Sequence, residues 1–514
     1  MKQGLSIFTL ANFNLVNFNA ALKRKFEHTA VNSVDYQQMF PYLLSLDKSV
    51  VHDKICVCWI TLEDLKQAKV LNIDLVDTLL KLNQSFQYGI VIFPQIESSN
   101  QNSFQGNDWR LFIYQFNAEL LQRSMGTNLF PLDPGPWLVE QGNNAISPAM
   151  WYLSKTPYHK QVFKLAAEAC YSVLNAWNGL AKKVLIVDLD DTLWGGIVGD
   201  DGMDNLRIGG HDPIGEAFAD VQKYILQLKS QGIILCISSK NDEQVALEVF
   251  DKNIGMILKK DDFVTWRINW KDKAENVAEI IKELNVGDDS VVFLDDSPAE
   301  RNRIRTAFPG VLVPELPSDK MEVPRFLQNL NCFNRIHLTE EDLNRTGLYQ
   351  DEQKRNQTIQ KFKSSDDWIA SLEIDIRFEL LNEQNLIRAE QLLNKTNQMN
   401  LRTRKLNKIE LLSWAQQKNH WFYVVHVKDI FGDNGITGLI GFHKESDIMI
   451  LEDFVMSCRV MGRKIENTML QFILSKTEEE KCKELLAEYL QSSKNKPILD
   501  FFLDLEIPKL HFIS

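Results

Sequence analysis

Residues 183–196 read KVLIVDLDDTLWGG. Apolar residues Val184 to Val187, with Leu189 just beyond, run into three carboxylates, Asp188, Asp190 and Asp191. A buried strand that ends in clustered like charge is costly, because desolvating even one unpaired carboxylate is expensive. Such an end calls for positive charge supplied from elsewhere in the chain.

Two other runs share the character of the first: GIILCISS (232–239) and SVVFLDD (290–296). Near-continuous apolar strands belong to parallel sheets covered on both faces. Helical patterns at 214–231 and 272–285 separate them, and this alternation predicts a doubly wound fold. Ligands of such sheets bind at the carboxyl ends of the strands. Here those ends carry Asp188 to Thr192, Ser238 to Asn241, and Asp295 to Ser297, with Lys273 opening the helix before the last strand. If the strands are neighbours, these groups converge on one crevice.

The chemistry of that crevice follows from its atoms. Carboxylates of Asp188 and of Asp295 or Asp296, with a backbone carbonyl near Asp190, make an all-oxygen site suited to Mg²⁺. The cation's charge offsets the clustered negative ones. Lys273 and a serine hydroxyl, from Ser238 or Ser239, can hold phosphoryl oxygens. One carboxylate in line with phosphorus can attack it to give an aspartyl-phosphate. A second, two residues on, is placed to protonate the leaving oxygen and later to deprotonate water.

The segments DLDDT, SSKN, Lys273 and LDDS resemble the four motifs of the haloacid dehalogenase (HAD) superfamily. The longer strings DLDDTLWGGIVGDDG, INWKDKAENVAEIIKELNVGDDSVVFLDDSPAER and LNKTNQMNLRTR resemble the FkbH-like proteins of its subfamily IIIC, a likeness that runs from about residue 130 onward. The resemblance implies Asp188 as nucleophile and Asp190 as general acid/base. It implies Thr192 steadying the aspartate loop, Ser239, Asn241 and Lys273 on phosphate, and Asp188, Asp190, Asp295 and Asp296 around Mg²⁺. WGGIVGDDG (194–202) has the glycines of a tight hairpin. In the family this segment replaces a large cap and leaves the site open to bulky or protein-borne substrates.

Bulk properties frame this reading. A chain of 514 residues is too long for one core, so two to four domains are expected. With 44% hydrophobic and 25% charged residues it has the composition of a soluble globular protein. No apolar run reaches membrane-spanning length, and MKQGLSIFTLANFNLVNFN does not read as a signal peptide. Seven scattered cysteines suit a reducing, cytoplasmic setting. A net charge of −12 argues against general nucleic-acid binding.

In the C-terminal third, strands near LEIDIRFEL, HWFYVVHVKD, GITGLIGFH and IMILEDFVMS, followed by a helix at 461–475, predict an α+β domain with an antiparallel sheet. SCRVMGRKIE (457–466) opens that helix and resembles the loop of GNAT-type acyltransferases, whose backbone N–H groups receive the phosphates of coenzyme A or a related thiol carrier. Arg459, Gly462 and Arg463 are the carrier-binding candidates, while Lys464 departs from the small residue usual there. Cys458 beside Arg459 is a candidate acyl carrier, with an inert packed thiol as the alternative. Arg402, Arg404, Lys405 and Lys408 are either a docking patch for an acyl carrier protein or a structural Asn/Arg network. The resemblance also offers Asn397 and Gln398 as substrate-orienting residues.

The N-terminal region resembles the SGNH hydrolase-like domain of FkbH-like proteins. It lacks that domain's serine: FTLANFN offers Thr9 and Asn12, so Asp133 and His159 complete no triad, and a non-hydrolytic role is expected. The CVC of 56–58 reads as strand packing. The expected architecture is thus an α/β multidomain chain. A central Rossmann-like HAD domain (179–337) lies between an SGNH-like domain (1–178) and, after a helical connector (338–370), a GNAT-like domain (371–514). An acidic capping box at Thr339 and Asp342 opens the connector.

Three functions are open on this reading. One is a bifunctional enzyme that dephosphorylates a three-carbon acyl donor of the 1,3-bisphosphoglycerate type and passes the glyceryl group to a carrier-protein thiol. The second is a plain Mg²⁺-dependent phosphatase of a polysaccharide or polyketide pathway. The third is a non-catalytic assembly protein, which the complete set of phosphoryl-transfer charges disfavours.

Overall fold

The chain folds as mixed α/β, with two parallel sheets and one largely antiparallel sheet. The computed structural model describes all residues except 1–5, 27, 47–50, 96–107, 211, 336–342, 360, 361, 363, 397, 493, 504–509 and 514, and except the side chains of 51–54, 83, 84, 108, 356, 357, 458 and 510–513. It divides into two compact units, Met1–Asn175 and Ala176–Ser514. Among the described residues no helix is long and apolar enough to cross a membrane.

The first unit is built on β1 (Ser6–Leu10), β2 (Ala30–Ser33), β3 (Val51–Trp59), β4 (Phe86–Ile92) and β5 (Leu129–Leu132). They pair in parallel in the order β2-β1-β3-β4-β5. Leu10, Cys56, Cys58 and Val91 share one apolar core with Met39, Leu43, Leu79 and Leu120. Cys56 and Cys58 are therefore packing residues, and burial pushes both thiols up.

In the second unit β6 (Val184–Val187), β7 (Ile234–Ser239), β8 (Thr265–Ile268) and β9 (Val291–Leu294) form a parallel sheet ordered β8-β7-β6-β9. Alternate residues face opposite ways, as the period of two requires. Ile186, Cys236 and Phe293 pack against Ala274, Val277 and Ile280 of the helix Lys273–Glu283. Val187, Ile237 and Leu294 pack with Val221, Ile225 and Leu228 of the helix Pro213–Ser230. The chain runs from β6 outward to β7 and β8, then returns to add β9 on the other side of β6. That reversal makes the carboxyl end of β6 and β9 a topological switch point, where such sheets bind ligands.

The third sheet holds β10 (Asp375–Leu380), β11 (Met399–Asn400), β12 (His420–Asp429), β13 (Gly432–Glu445), β14 (Ile448–Met456), β15 (Glu484–Glu488) and β16 (Leu510–Ile513). The strands from β10 through β14 are antiparallel, but β15 and β16 add in parallel, so the sheet is not antiparallel throughout. Between the sheets lie the helices Arg345–Ile359 and Ser365–Ser371. The first is fixed to the third sheet by Arg355, fully buried, whose guanidinium holds both oxygens of Asp429 at 2.7 and 2.9 Å. Thr339 and Asp342, the expected capping box, lie outside the described residues.

Candidate active site

Register alone brings the first chemical groups together. Val187 pairs with Ile237 and with Leu294. The next residues, Asp188, Ser238 and Asp295, therefore stand level at the strand ends, and the Asp188 N–H donates to Leu294 O at 2.9 Å. They continue the face that the helix Lys273–Glu283 covers. Asp272 caps that helix by accepting from Ala274 N, which fixes Lys273 as its first residue. The Lys273 ammonium donates to Asp295 Oδ2 at 2.5 Å and lies 2.9 Å from Asp188 Oδ2. Burial opposes this ammonium's charge, but Asp188 and Asp295 outweigh that and push its pKa up.

Lys273 is the cation that the fold sets between Asp188 and Asp295, and it does not suffice alone. Asp188, Asp295 and Asp296 bring carboxylate oxygens within 4.8 Å of one another. Asp188 Oδ1 is buried without a hydrogen-bond partner. Burial, and then the neighbouring Asp188, push the Asp295 carboxyl up to about 6 against the pull of Lys273. An orphaned oxygen facing excess negative charge is what an all-oxygen divalent site looks like without its ion, so these residues fit Mg²⁺.

The Asp190 side chain does not join that cluster. Its Oδ1 accepts from Trp194 Nε1 at 2.8 Å and Val198 N at 3.2 Å, and its Oδ2 accepts from Asn241 Nδ2 at 2.8 Å. The Asp190 carboxylate is taken up by these three hydrogen bonds, which leaves its backbone carbonyl for the metal, and Asn241, expected on phosphate, donates to Asp190. Burial raises the Asp190 pKa against those three hydrogen bonds, a shift that suits a proton donor. Thr192 Oγ1 accepts from Asp296 N at 3.2 Å, tying the aspartate loop to the end of β9. Both Ser238 and Ser239 are buried, and Ser238 Oγ has no partner.

The WGGIVGDDG segment is not a tight hairpin. Gly195 bridges to Arg207, and the excursion between them holds a helical turn, Val198–Asp201, and a 3₁₀ turn, Met203–Asn205. Gly195 is required at the bridge because a Cβ there would meet Phe218 at 2.9 Å.

Two basic residues of the site were not visible as such in the sequence. Arg301, buried, donates to the carbonyls of Asp295 (2.9 Å) and Asp296 (2.6 Å) and so fixes the turn that presents both carboxylates. Lys320 donates to Asp191 O at 2.7 Å and lies 3.8 Å from Asp296 Oδ2. Both line a cavity of about 240 Å³ with Thr192 and Asp296. Asp191, which anchors Lys320, is held at φ +51, the left-handed region.

At the C-terminal loop, Gly462 has φ +78, which suits glycine. Arg463 departs from expectation. Its side chain is fully buried, pairs with Glu352 and with Asp429 (3.1 Å), and donates to Arg459 O, so it faces the interior and not a carrier. The Lys464 ammonium is paired with Asp366 at 2.6 Å. Arg402 pairs with Glu452 and Glu488, Arg404 with Glu452 and Asp453, and Lys405 donates to Asn394 O. The segment is therefore the structural network, not a free docking patch, and Lys408 in it is half-buried beside Glu390. The side chain of Cys458 and all of Asn397 lie outside the described residues, and Gln398 is exposed.

In the first unit the Thr9 hydroxyl is buried and donates to Asn19 Oδ1 at 2.8 Å, so it is no exposed nucleophile. Asn12 donates to Asp64 Oδ1 at 2.7 Å. Asp133 accepts from Gln95 and from Gly135 N, as a turn-forming residue does, while the His159 N–H donates to Ala145 O.

No protein-family model matches the chain, and no curated protein does. Among solved structures, it is similar to the N-terminal part of the Bacteroides fragilis protein BF1531, which contains a phosphatase domain and was crystallised with Mg. The identity is 28% over 65% of this chain and 95% of that one, with a TM-score of 0.58. A Trypanosoma brucei acetyltransferase matches 26% of this chain and 92% of its own at 15% identity and a TM-score of 0.20. An aminoglycoside acetyltransferase from an uncultured soil sample matches 26% of this chain and 88% of its own, at 14% identity and a TM-score of 0.21.

The carboxylates set the pH dependence of metal binding. With Asp295 titrating at about 6, a cation must displace its proton at lower pH. Mg²⁺ affinity, read by calorimetry, is expected to be flat above pH 7 and to fall about tenfold per pH unit well below 6. An affinity unchanged between pH 7 and 5 would remove Asp295 from the ligand set.

Proposed function

We propose that this chain is a Mg²⁺-dependent enzyme of the HAD type that takes a phosphoryl group onto Asp188. The observation that carries this reading is the meeting of Asp188, Lys273, Asp295 and Asp296 at the switch point of the β6–β9 sheet, with Asp188 Oδ1 unpartnered. The likeness to a solved phosphatase-domain protein that binds Mg supports it. Asp188, Asp295, Asp296 and the Asp190 carbonyl would hold the ion. Bound there, Mg²⁺ would polarise a phosphoryl oxygen and offset the charge of the site.

The residues of the chain perform the transfer. An Asp188 oxygen forms a bond to phosphorus as the bond from phosphorus to the leaving oxygen breaks. Lys273 holds the phosphoryl oxygens in place. Asp190, whose pKa burial raises and which Trp194 and Asn241 position, gives a proton to the leaving oxygen. It then takes a proton from water, which attacks the phosphorus and releases inorganic phosphate and free Asp188.

The finer reading assigns the substrate: a phosphorylated three-carbon acyl phosphate of the 1,3-bisphosphoglycerate type, whose glyceryl group ends on the phosphopantetheine thiol of an acyl carrier protein. The thiol sulfur, giving up its proton, bonds to the acyl carbon as the bond from that carbon to the phosphate oxygen breaks and inorganic phosphate leaves, and Asp188 removes the remaining phosphate ester. One observation favours the simpler phosphatase. The Ser457–Met461 turn shares a cavity with Lys183, which enters β6, whereas Asp188 leaves it. The two ends are separated by roughly 16 Å of strand at 3.3 Å per residue. Direct transfer between them requires a long carrier arm.

The test is incubation with the acyl phosphate, Mg²⁺ and a phosphopantetheinylated carrier protein, followed by phosphate assay and intact mass. Phosphate release with a glyceryl gain on the carrier is the expected result. Release with no gain on carrier or enzyme leaves the phosphatase alone, and no release removes both. A gain on the enzyme that survives Cys458→Ala excludes that thiol as its carrier.

A further inference from the structure

The helix Asp108–Ser124 of the first unit is apolar on two opposite faces. Ile113, Phe116 and Leu120 belong to that unit's core, and Arg123 pairs with Asp77 from the flank. The reverse face carries Leu111, Tyr114, Ala118 and Leu121, and Met125 continues it just past the helix end. All five are exposed among the described residues, the four large ones at 59, 62, 46 and 76%. A single exposed leucine needs no explanation, but a row of apolar residues marks a contact surface.

The spacing says what kind of contact. Steps of three, four, three and four residues make the seam along which one helix packs on another. At about 3.6 residues per turn the five fall within one arc, which from 108 to 125 only Gln115 and Gln122 share. No charge lies on that arc, although 25% of the chain is charged. A helix face that stays in water carries polar and charged residues, so this one is built to be covered.

The order of sizes says what covers it. Large, large, small, large, large reads the same in both directions from Ala118. Two copies laid antiparallel set Ala118 against Ala118, where small side chains let the helices approach. Tyr114 then meets Leu121 of the second copy, and Leu111 meets Met125. Such a surface is complementary to itself, as a two-fold interface requires. The glutamine amides at its rim both donate and accept, so no like charges meet there. From their exposed fractions the four large side chains offer roughly 900 Å² for the pair, before the rim is counted, close to the ~1,000 Å² that a specific interface must clear.

We propose that Leu111, Tyr114, Ala118, Leu121 and Met125 form a homodimer interface, in which the helix Asp108–Ser124 packs antiparallel on the same helix of a second copy. This inference does not rest on the proposed reaction. The modest area makes the dimer dependent on protein concentration.

Sedimentation equilibrium of the full chain is expected to show twice the chain's mass by about 100 μM. Tyr114→Lys alone and Leu121→Glu alone each set a charge against an apolar partner, and each is expected to weaken association about tenfold or more. Both positions are exposed within one copy, so circular dichroism should not change. Tyr114→Lys combined with Leu121→Glu sets lysine against glutamate twice in the antiparallel pair, and is expected to associate at least about threefold more tightly than either single variant. A parallel pair would set like charges together. Ala118→Cys, mildly oxidised, is expected to cross-link two copies where the wild type does not, and it carries the test if a charged variant fails to fold. A chain that stays monomeric at about 100 μM overturns the proposal and leaves the stripe to a different partner. Single variants that associate as the wild type does, a double variant no tighter than either single one, or no cross-link through Ala118→Cys each overturns it as well.

Discussion

Asp188→Asn is expected to leave the fold intact and to lower phosphate release by at least about 10⁴-fold, the scale seen when an enzymatic nucleophile is removed. The fold survives because asparagine matches aspartate in shape, the N–H at 188 still bonds Leu294 O, and Lys273 keeps its 2.5 Å contact with Asp295. Activity does not survive, because a neutral amide cannot accept phosphorus and return it to water. Acid-quenched wild-type protein should carry phosphate at 188 and the variant none. Turnover above a hundredth of wild type would take the role of nucleophile from Asp188. Asp190→Asn gives a useful contrast. Loss of its proton should slow an alkyl phosphate about 10²- to 10⁴-fold. An acyl phosphate should suffer less in the first step, since a carboxylate leaves without protonation, and phosphoenzyme should then accumulate for want of a base. A variant equally impaired on both substrates would show that Asp190 acts in water attack alone.

The parts of this site that the sequence displayed are those whose physics is local. Val184 to Val187, Ile233 to Ile237 and Val291 to Leu294 are apolar on both faces, so their strands were legible, and so were the carboxylates that end them. The edge strand β8 was not. Thr265 and Ile268 are buried, but Trp266 and Arg267 are half-exposed, and Arg267 pairs with Glu279 and Glu283 of the next helix, so no apolar run marks it. Long-range polar contacts were equally hidden. Asn241 reads as a phosphate ligand by its motif, yet its partner is Asp190, fifty-one positions earlier. Arg301 and Lys320 become site residues only when their segments fold back on the ends of β9 and β6. Arg463 looked like a surface cation in a loop, but Asp429 and Glu352 draw it inward.

Lys273→Met should expose the opposite half of the balance. Lys273 is only 3% exposed and is the ammonium within bonding distance of both Asp188 and Asp295. Its removal leaves buried carboxylates facing one another, and loss of one partner from a buried pair costs about 3–5 kcal/mol. Methionine fills the stem's volume, so the loss measures charge and not a cavity. The pH dependence has a definite sign. Without the ammonium the Asp295 carboxyl, already up at about 6, must rise further, and protons taken up below that value relieve the repulsion. The stability gap to wild type, measured by denaturant titration, should therefore be widest above pH 7 and should narrow toward pH 5. Mg²⁺ supplies the missing charge by another route, so it should raise the melting temperature of Lys273→Met more than that of the wild type. Phosphate release should remain low even when Mg²⁺ restores stability, because the ion does not replace an ammonium aimed at the transferred group. A variant that Mg²⁺ stabilises no more than wild type would mean that the carboxylates and the ammonium do not share one electrostatic site. The grouping of Asp188, Asp295 and Lys273 as phosphoryl-transfer machinery would then fall with it.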